Sequence, residues 1–214
     1  MKLHHQIKAS LICCMFLFLF SCSDKNNNQS GNHPDTFATA TDTASAPATK
    51  KKSEATAWAI NESESKITFT ITNFGKEVNG SFGNPKGTIR FDEKNLAASK
   101  FDANVPVSTI NTGNNMRDKD LMHDKYFDAE HYPDITFQSD SIFAAGKEFK
   151  AKGTFTIKGK SRQQVLPFTF TENGNSGVFK SDFVLNRKDF DIGGNGNVMG
   201  DDIHISLQVA VNKQ

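Results

Sequence analysis

Residues 203–212 read Ile-His-Ile-Ser-Leu-Gln-Val-Ala-Val-Asn, with an apolar side chain at every odd position from Ile203 to Val211 and His204, Ser206, Gln208, Ala210 and Asn212 between them. A period of two sends alternate side chains to opposite faces of an extended chain, so this stretch predicts one long strand with a buried face and a polar one. No helix of 3.6 residues per turn would keep those five residues on one side.

The same texture recurs upstream. Ile67, Phe69 and Ile71 alternate with Thr68, Thr70 and Thr72, and the pattern returns at Ile89 and Phe91, then at Phe101, Ala103, Val105 and Val107. It continues with Ile135 and Phe137, Phe155 and Ile157, Leu166, Phe168 and Phe170, and Phe183 and Leu185. Turn-forming residues separate the runs: Asn79-Gly80, Asn84-Pro85, Asn173-Gly174-Asn175 and Gly193 to Asn197. The only helical texture is short and charged, around Arg117 to Asp124. The expectation is an all-β, antiparallel domain of about eight strands with a short helical insertion. Periodicity alone leaves a sandwich and a closed barrel equally open.

Composition narrows the function. Nineteen Phe stand against two Tyr and one Trp, an almost purely apolar aromatic supply set inside Thr-rich alternation. Phe therefore reads as sheet core rather than as a base-stacking platform. Lys and Arg number 25 and Asp and Glu 24, a net charge of +1, so the basic footprint expected of a nucleic-acid binder is missing.

The amino-terminal region has a different character. Lys2, His4, His5 and Lys8 precede the apolar run Leu11 to Phe20, too short to span a bilayer and suited to a secretory signal. The three cysteines are Cys13, Cys14 and Cys22, so no internal disulfide or thiolate metal cluster is available downstream. Leu19-Phe20-Ser21-Cys22 resembles a bacterial lipobox. That resemblance implies cleavage before Cys22, a diacylglycerol on its thiol and a free amine open to a further acyl group such as palmitate. Two or more acyl chains hold a protein stably where one does not. From Ser23 to about Ala55 there is almost nothing apolar, which reads as a tether, with Lys50, Lys51 and Lys52 simply solvated. The expected organisation is a lipoprotein signal peptide over 1–21, an acylated Cys22 and tether over 22–56, and the β domain over 57–214. The expected place is the bacterial cell envelope, lipid-anchored to a membrane and facing the periplasm or the surface.

Several separated motifs carry a family resemblance. They begin with Trp58-Ala59-Ile60, Ser65 to Phe69, Val78 to Phe82 and Gly87 to Asp92. The densest block runs through Ser108 to Gly113, Arg117-Asp118, Leu121, Tyr126-Phe127-Asp128 and Tyr132 to Phe137. Gly153 to Gly159, Arg187 to Phe190, Ile192-Gly193 and Gly200 to Ile203 complete it. From Trp58 to Val211 the chain thus resembles the YceI-like, or polyisoprenoid-binding, family. It departs from that pattern at Asn73 and Asp120, where His is frequent, and at Asp191, where Gly is frequent.

The resemblance implies an eight-stranded antiparallel lipocalin-like barrel whose lumen holds a long isoprenoid chain, such as an isoprenoid quinone or a polyprenol, as ligand rather than as cofactor. An eight-stranded barrel is either filled by side chains or just wide enough for one slender ligand. The inward-facing candidates for the lining are Phe69, Ile71 and Phe82, then Phe91, Val105 and Leu121, and finally Phe127, Phe137, Phe155, Phe168 and Phe183.

Charged side chains cluster at Arg117, Asp118, Asp120, His123, Asp124 and Asp128. His with nearby carboxylates suits acid–base or metal chemistry, but Arg117 with Asp118, and Arg187 with Asp189, read better as braces for loops beside the sheet. His123 and His131 are eight apart and match no compact metal motif. No catalytic residue, metal site or cofactor is assigned. The leading expectation is a non-enzymatic, membrane-anchored carrier of an isoprenoid lipid or similar long-chain amphiphile, with the oligomeric state open and a homodimer included. The alternatives are a hydrolase or isomerase acting on an amphiphile at the charged cluster, and a lipoprotein whose packed barrel binds a partner through its loops.

Overall fold

The computed structural model describes residues 54–214. The expected signal over 1–21, the anchor Cys22 and the tether up to residue 53 lie outside the described residues.

Ten strands follow the predicted runs: β1 (Ala57–Ile60), β2 (Lys66–Asn73), β3 (Lys76–Phe82), β4 (Lys86–Arg90), β5 (Lys100–Pro106), β6 (Asp134–Ala145), β7 (Glu148–Ile157), β8 (Lys160–Asn173), β9 (Ser176–Asn186) and β10 (Asp202–Lys213). Every pairing is antiparallel. The order β1-β4-β5-β6-β7-β8-β9-β10 closes on itself because Trp58 to Ile60 also pair with Lys213 to Val211. The question left open between sandwich and barrel is thereby settled as a closed barrel.

Ten strands make eight staves because the first two staves are broken. β1 and β2 lie on the same edge of β10, one against Val211 to Lys213 and the other against His204 to Gln208. Between them Asn61 to Ser65 loop out, and the Ser65 hydroxyl donates back to the Asn61 carbonyl at 2.7 Å. The second stave, β3 and β4, breaks at Gly83-Asn84-Pro85, where Asn84 is left-handed (φ 52) and Pro85 has no N–H to give a ladder. Asn79-Gly80, expected as a turn, is instead inside β3, paired with Thr70 and Phe69. The Phe69 ring lies where a Cβ on Gly80 would sit, so packing rather than chain reversal accounts for this glycine. The reversal occurs at Phe74-Gly75, with φ of 50 and 70.

The ladder between β8 and β9 is also incomplete. It runs only from Thr169 opposite Lys180 to Asn173 opposite Ser176. Pro167 halts it, lacking a donor. Towards Lys160 and Asn186 the two strands are joined by side chains, the Ser181 hydroxyl to the Pro167 carbonyl at 2.6 Å and the Gln164 amide to the Val184 carbonyl at 3.0 Å.

The helical insertion is α1 (Asn115–Leu121), starting two residues before the charged stretch suggested. Asn114 sets that start, its side chain accepting from the Met116 and Arg117 amides at 3.0 and 3.1 Å. α1 belongs to the long β5–β6 connection, which lies at the same end of the barrel as the β2–β3 turn and the β9–β10 loop. The described chain enters at the opposite end, where Ala57 pairs with Arg90.

Among the described residues, the eight staves and the buried core lie between Ala55 and Lys213. First and last described strands pair with each other, so the barrel closes within residues 54–214.

Candidate functional site

The barrel is solid at one end and hollow at the other. At the solid end Phe91 is 1 % exposed, with the rings of Phe101, Phe149, Phe168, Phe170 and Phe179 centred 5.2–6.1 Å away. Trp58 sits edge-on to Phe170 at 5.1 Å and donates its indole N–H to the Phe91 carbonyl at 3.2 Å. Edge-to-face rings at these separations are favourable beyond their burial. Together they plug the end at which the described chain enters.

Above the plug lies a cavity of about 260 Å³. This is larger than the roughly 150 Å³ of an engineered apolar cavity that stays dry and admits a benzene ring. Its floor is Phe101, Phe168 and Phe179, whose other faces meet Phe91. Higher up the wall come Phe137 and Phe155, with ring centres 4.8 Å apart, and Phe183 stacked on Phe155 at 5.7 Å. Phe69, Ile71, Phe82, Val105 and Ile135 complete the near side, and Leu121 and Phe127 reach in from the β5–β6 connection. Ile205, Leu207 and Val209 of β10 point into the same space and are only half-buried, as side chains facing a hollow must be.

Ten of the eleven expected lining residues therefore stand on this wall. Phe91 does not: β4 ends at Arg90, and the next residue, whose amide bonds to the Thr56 carbonyl at 2.9 Å, drops into the plug. It supports the floor from below instead of lining the space.

At its upper end the cavity meets a collar of Asn73, Thr112, Arg117, Tyr126, Ile192 and Met199. Asn73, Arg117, Tyr126 and Met199 are half-buried, so this end communicates with solvent. Arg117 holds Thr112 through Nε to Oγ1 and Nη2 to the carbonyl, both at 2.8 Å, while the Asp118 carboxylate accepts from the Thr112 amide at 3.0 Å and from its hydroxyl. One guanidinium nitrogen of Arg117, the side-chain amide of Asn73 and the Tyr126 hydroxyl make no hydrogen bond among the described residues, which leaves three polar groups at the rim of an apolar space. Of these, Asn73 had been singled out in the sequence only as a departure, and Tyr126, Ile192 and Met199 not as lining; the signal for Met199 is absent, since it follows a glycine-rich loop with no periodicity.

The second brace is more extensive. Arg187 is fully buried (0 % exposed) and donates to the carbonyls of Gly200, Ile192, Gly194, Gly196 and Met199 at 2.6–3.2 Å and to the Asp201 carboxylate at 3.0 Å. It gathers the whole β9–β10 loop around one side chain. The acid of this brace is Asp201, not Asp189, which is exposed in the 3₁₀ turn Arg187–Phe190, whose first and last side chains are buried. Lys188, bonded to Asp201 at 2.7 Å, holds that carboxyl below its ordinary value of 3.8, with Arg187 adding to the effect and partial desolvation opposing it.

Because the folded value is lowered, the pair's contribution to stability is complete above the ordinary carboxylate range and vanishes as the pH falls through the lowered value. Asp201→Asn is expected to melt below the native protein at pH 6, and the difference to close in acid below pH 3.8. A difference that is constant across a thermal-melt series in pH would contradict it.

Among the described residues no three His, Cys, Asp or Glu side chains are grouped as metal ligands. Within the charged cluster Asp128 bonds the His131 ring at 2.7 Å, which raises the His131 pKa, and His123 and Asp124 are exposed.

Comparison with known proteins places these features in a family. The YceI-like domain family matches residues 58–211. Protein YceI of Escherichia coli O6:H1 is 29% identical over 133 residues, covering 59% of this chain and 70% of that protein. Among solved structures, BcnA of Burkholderia cenocepacia superposes with a TM-score of 0.67 at 24% identity, over 71% of this chain and 98% of its own. A polyisoprenoid binding domain from Saccharophagus degradans, implicated in plant cell wall breakdown, superposes with a TM-score of 0.59 at 12% identity, over 74% and 99%.

Proposed function

Starting from the premise that this chain belongs to the YceI-like family, we propose that it is a non-enzymatic carrier that holds one isoprenoid lipid, or a similar long-chain amphiphile, in its barrel, anchored through an acylated Cys22 in the bacterial cell envelope. The observation that carries the reading is the blind, mostly apolar cavity: a Phe floor at one end, walls mainly aliphatic and Phe with the Ser181 hydroxyl spent on the Pro167 carbonyl, and polar side chains without a partner among the described residues at the collar. That is the shape of a chain with a polar head. The description of a similarly folded domain as polyisoprenoid binding supports the same ligand class.

The physics needs no reacting group. Each buried CH₂ contributes about 0.8 kcal/mol, and a slender chain in a preformed lumen gives back part of that as lost conformational freedom. The head would meet Asn73, Arg117 and Tyr126 at the collar. Tethering at Cys22 raises the concentration of the barrel beside the bilayer, where a nearly insoluble ligand resides.

The test is native mass spectrometry of residues 54–214 made in bacteria, before and after extraction with organic solvent. One amphiphile per barrel is expected. A clean protein mass that takes up neither added polyprenol nor added quinone would overturn the reading. Val105→Trp sharpens it, since the indole enters the hollow half of the lumen while the plug is untouched. Bound lipid is expected to fall at least tenfold with the melting temperature kept or raised, as cavity filling commonly stabilises by about 0.5–2 kcal/mol.

A further inference from the structure

Large apolar side chains are exposed at a few places on this barrel, and three of them share one end. Phe74 is 73 % exposed, Met116 76 % and Val198 51 %. Each is the chain neighbour of a residue on the collar: Phe74 follows Asn73, Met116 precedes Arg117 and Val198 precedes Met199. The three therefore rim the open end of the cavity. Phe74 and Val198 are tied side by side, the Phe74 amide donating to the Val198 carbonyl at 2.6 Å.

Phe74 is the most telling of the three. It occupies the first position of a two-residue hairpin turn at φ 50, followed by Gly75 at φ 70. Such turns favour Asn, Asp or Gly, and a bulky side chain in the left-handed region is uncommon. Neither the turn nor the core calls for phenylalanine here.

We propose that Phe74, Val198 and Met116 are a docking rim that inserts into the surface of a lipid bilayer, so that the cavity mouth opens directly onto the membrane. This rests on the carrier reading for its purpose. Continuity of apolar surface argues for a bilayer: the rim passes through the collar into the cavity, so a lipid can move from bilayer to lumen without crossing water. α1 adds no net charge beside it, its Arg117 and Lys119 being matched by Asp118 and Asp120, so a neutral surface suffices.

The chain that precedes the barrel permits this orientation. The described residues begin at the plugged end, opposite the rim. Between Cys22 and Glu54 lie 31 residues, which span about 100 Å when extended at roughly 3.3 Å each. The longest strand, β8, has 14 residues, or about 46 Å at the same rise. An anchor at Cys22 thus leaves either end free to turn to the membrane, and the apolar rim selects the open one.

The experiment uses residues 54–214 and neutral phosphatidylcholine vesicles with and without polyprenol, comparing the native sequence with Phe74→Asp/Met116→Asp/Val198→Asp. Aspartate suits the left-handed turn better than phenylalanine, so the variant keeps its fold, and an unchanged melting temperature checks this. The variant is expected to co-sediment with vesicles at least tenfold less and to load polyprenol more slowly by a similar factor, while its final lipid content is unchanged. Absence of vesicle binding by the native sequence, equal loading rates, or loss of a solution dimer in the variant with no change on vesicles would each overturn the proposal. Co-sedimentation needs no lipid in the lumen. A barrel that takes up no polyprenol, yet binds vesicles through the rim, would therefore sink the carrier reading while supporting the docking surface.

Discussion

Phe91→Ala is expected to destabilise the barrel by about 3–5 kcal/mol, the range for emptying a buried aromatic site. At about 2–4 °C per kcal/mol for a domain of this size, the melting temperature would fall by roughly 6–20 °C. The reason is positional: five Phe rings are centred within 6.1 Å of Phe91, and three of them form the cavity floor with their opposite faces. Loss of the central ring also opens space beneath that floor. The surviving fold is thus expected to retain longer lipids, read by mass spectrometry of the extracted ligand. Phe91→Leu, which leaves less void, should lose less on both measures. A melting temperature within 2 °C of the native value would show that Phe91 does not hold the aromatic plug together.

Arg187→Met should cost a comparable amount, about 3–5 kcal/mol, because the side chain cannot replace any of six hydrogen bonds at a site with no access to water. Its effect differs in kind. The five carbonyls freed belong to the β9–β10 loop, so residues 191–201 are expected to become the first site of limited proteolysis. Lipid retention should fall with them, since Ile192 and Met199 leave the collar. Arg187→Lys restores the charge but not the planar fork of donors, and should recover only part of either property. Unchanged protease resistance in Arg187→Met would place the organisation of the loop elsewhere.

Alternation proved a reliable guide to which face a side chain takes and a poor one to its height along the barrel. Ile89 and Phe91 share a parity and both point inward, yet Ile89 is on the cavity wall and Phe91 in the plug. Nothing in a period of two distinguishes them, because height is set by where β4 ends against β1 and β5. The breaks at 61–65 and 83–85 were equally obscure, since each splits one stave into two runs that read as separate strands. Asn79-Gly80 has the composition of a turn and is a strand, because the glycine serves a ring across the sheet; Phe74-Gly75 has the poorer turn composition and is the turn. The loop brace shows the same limit for charges. Arg187 was legible as a brace, but its acid lies fourteen residues on, brought back by the loop that Arg187 itself gathers.

The two ends of the cavity are unlike its sides. Below, stacked Phe rings form a stop that does not yield without loss of core packing. Along the β8–β9 seam, by contrast, some six residues of each strand face one another without a ladder, joined by two side-chain bonds. Parting the strands there breaks no backbone hydrogen bond between them. In the proposed carrier the plug would therefore fix how far a chain enters, while the seam is the part of the wall that could widen with the fewest bonds broken.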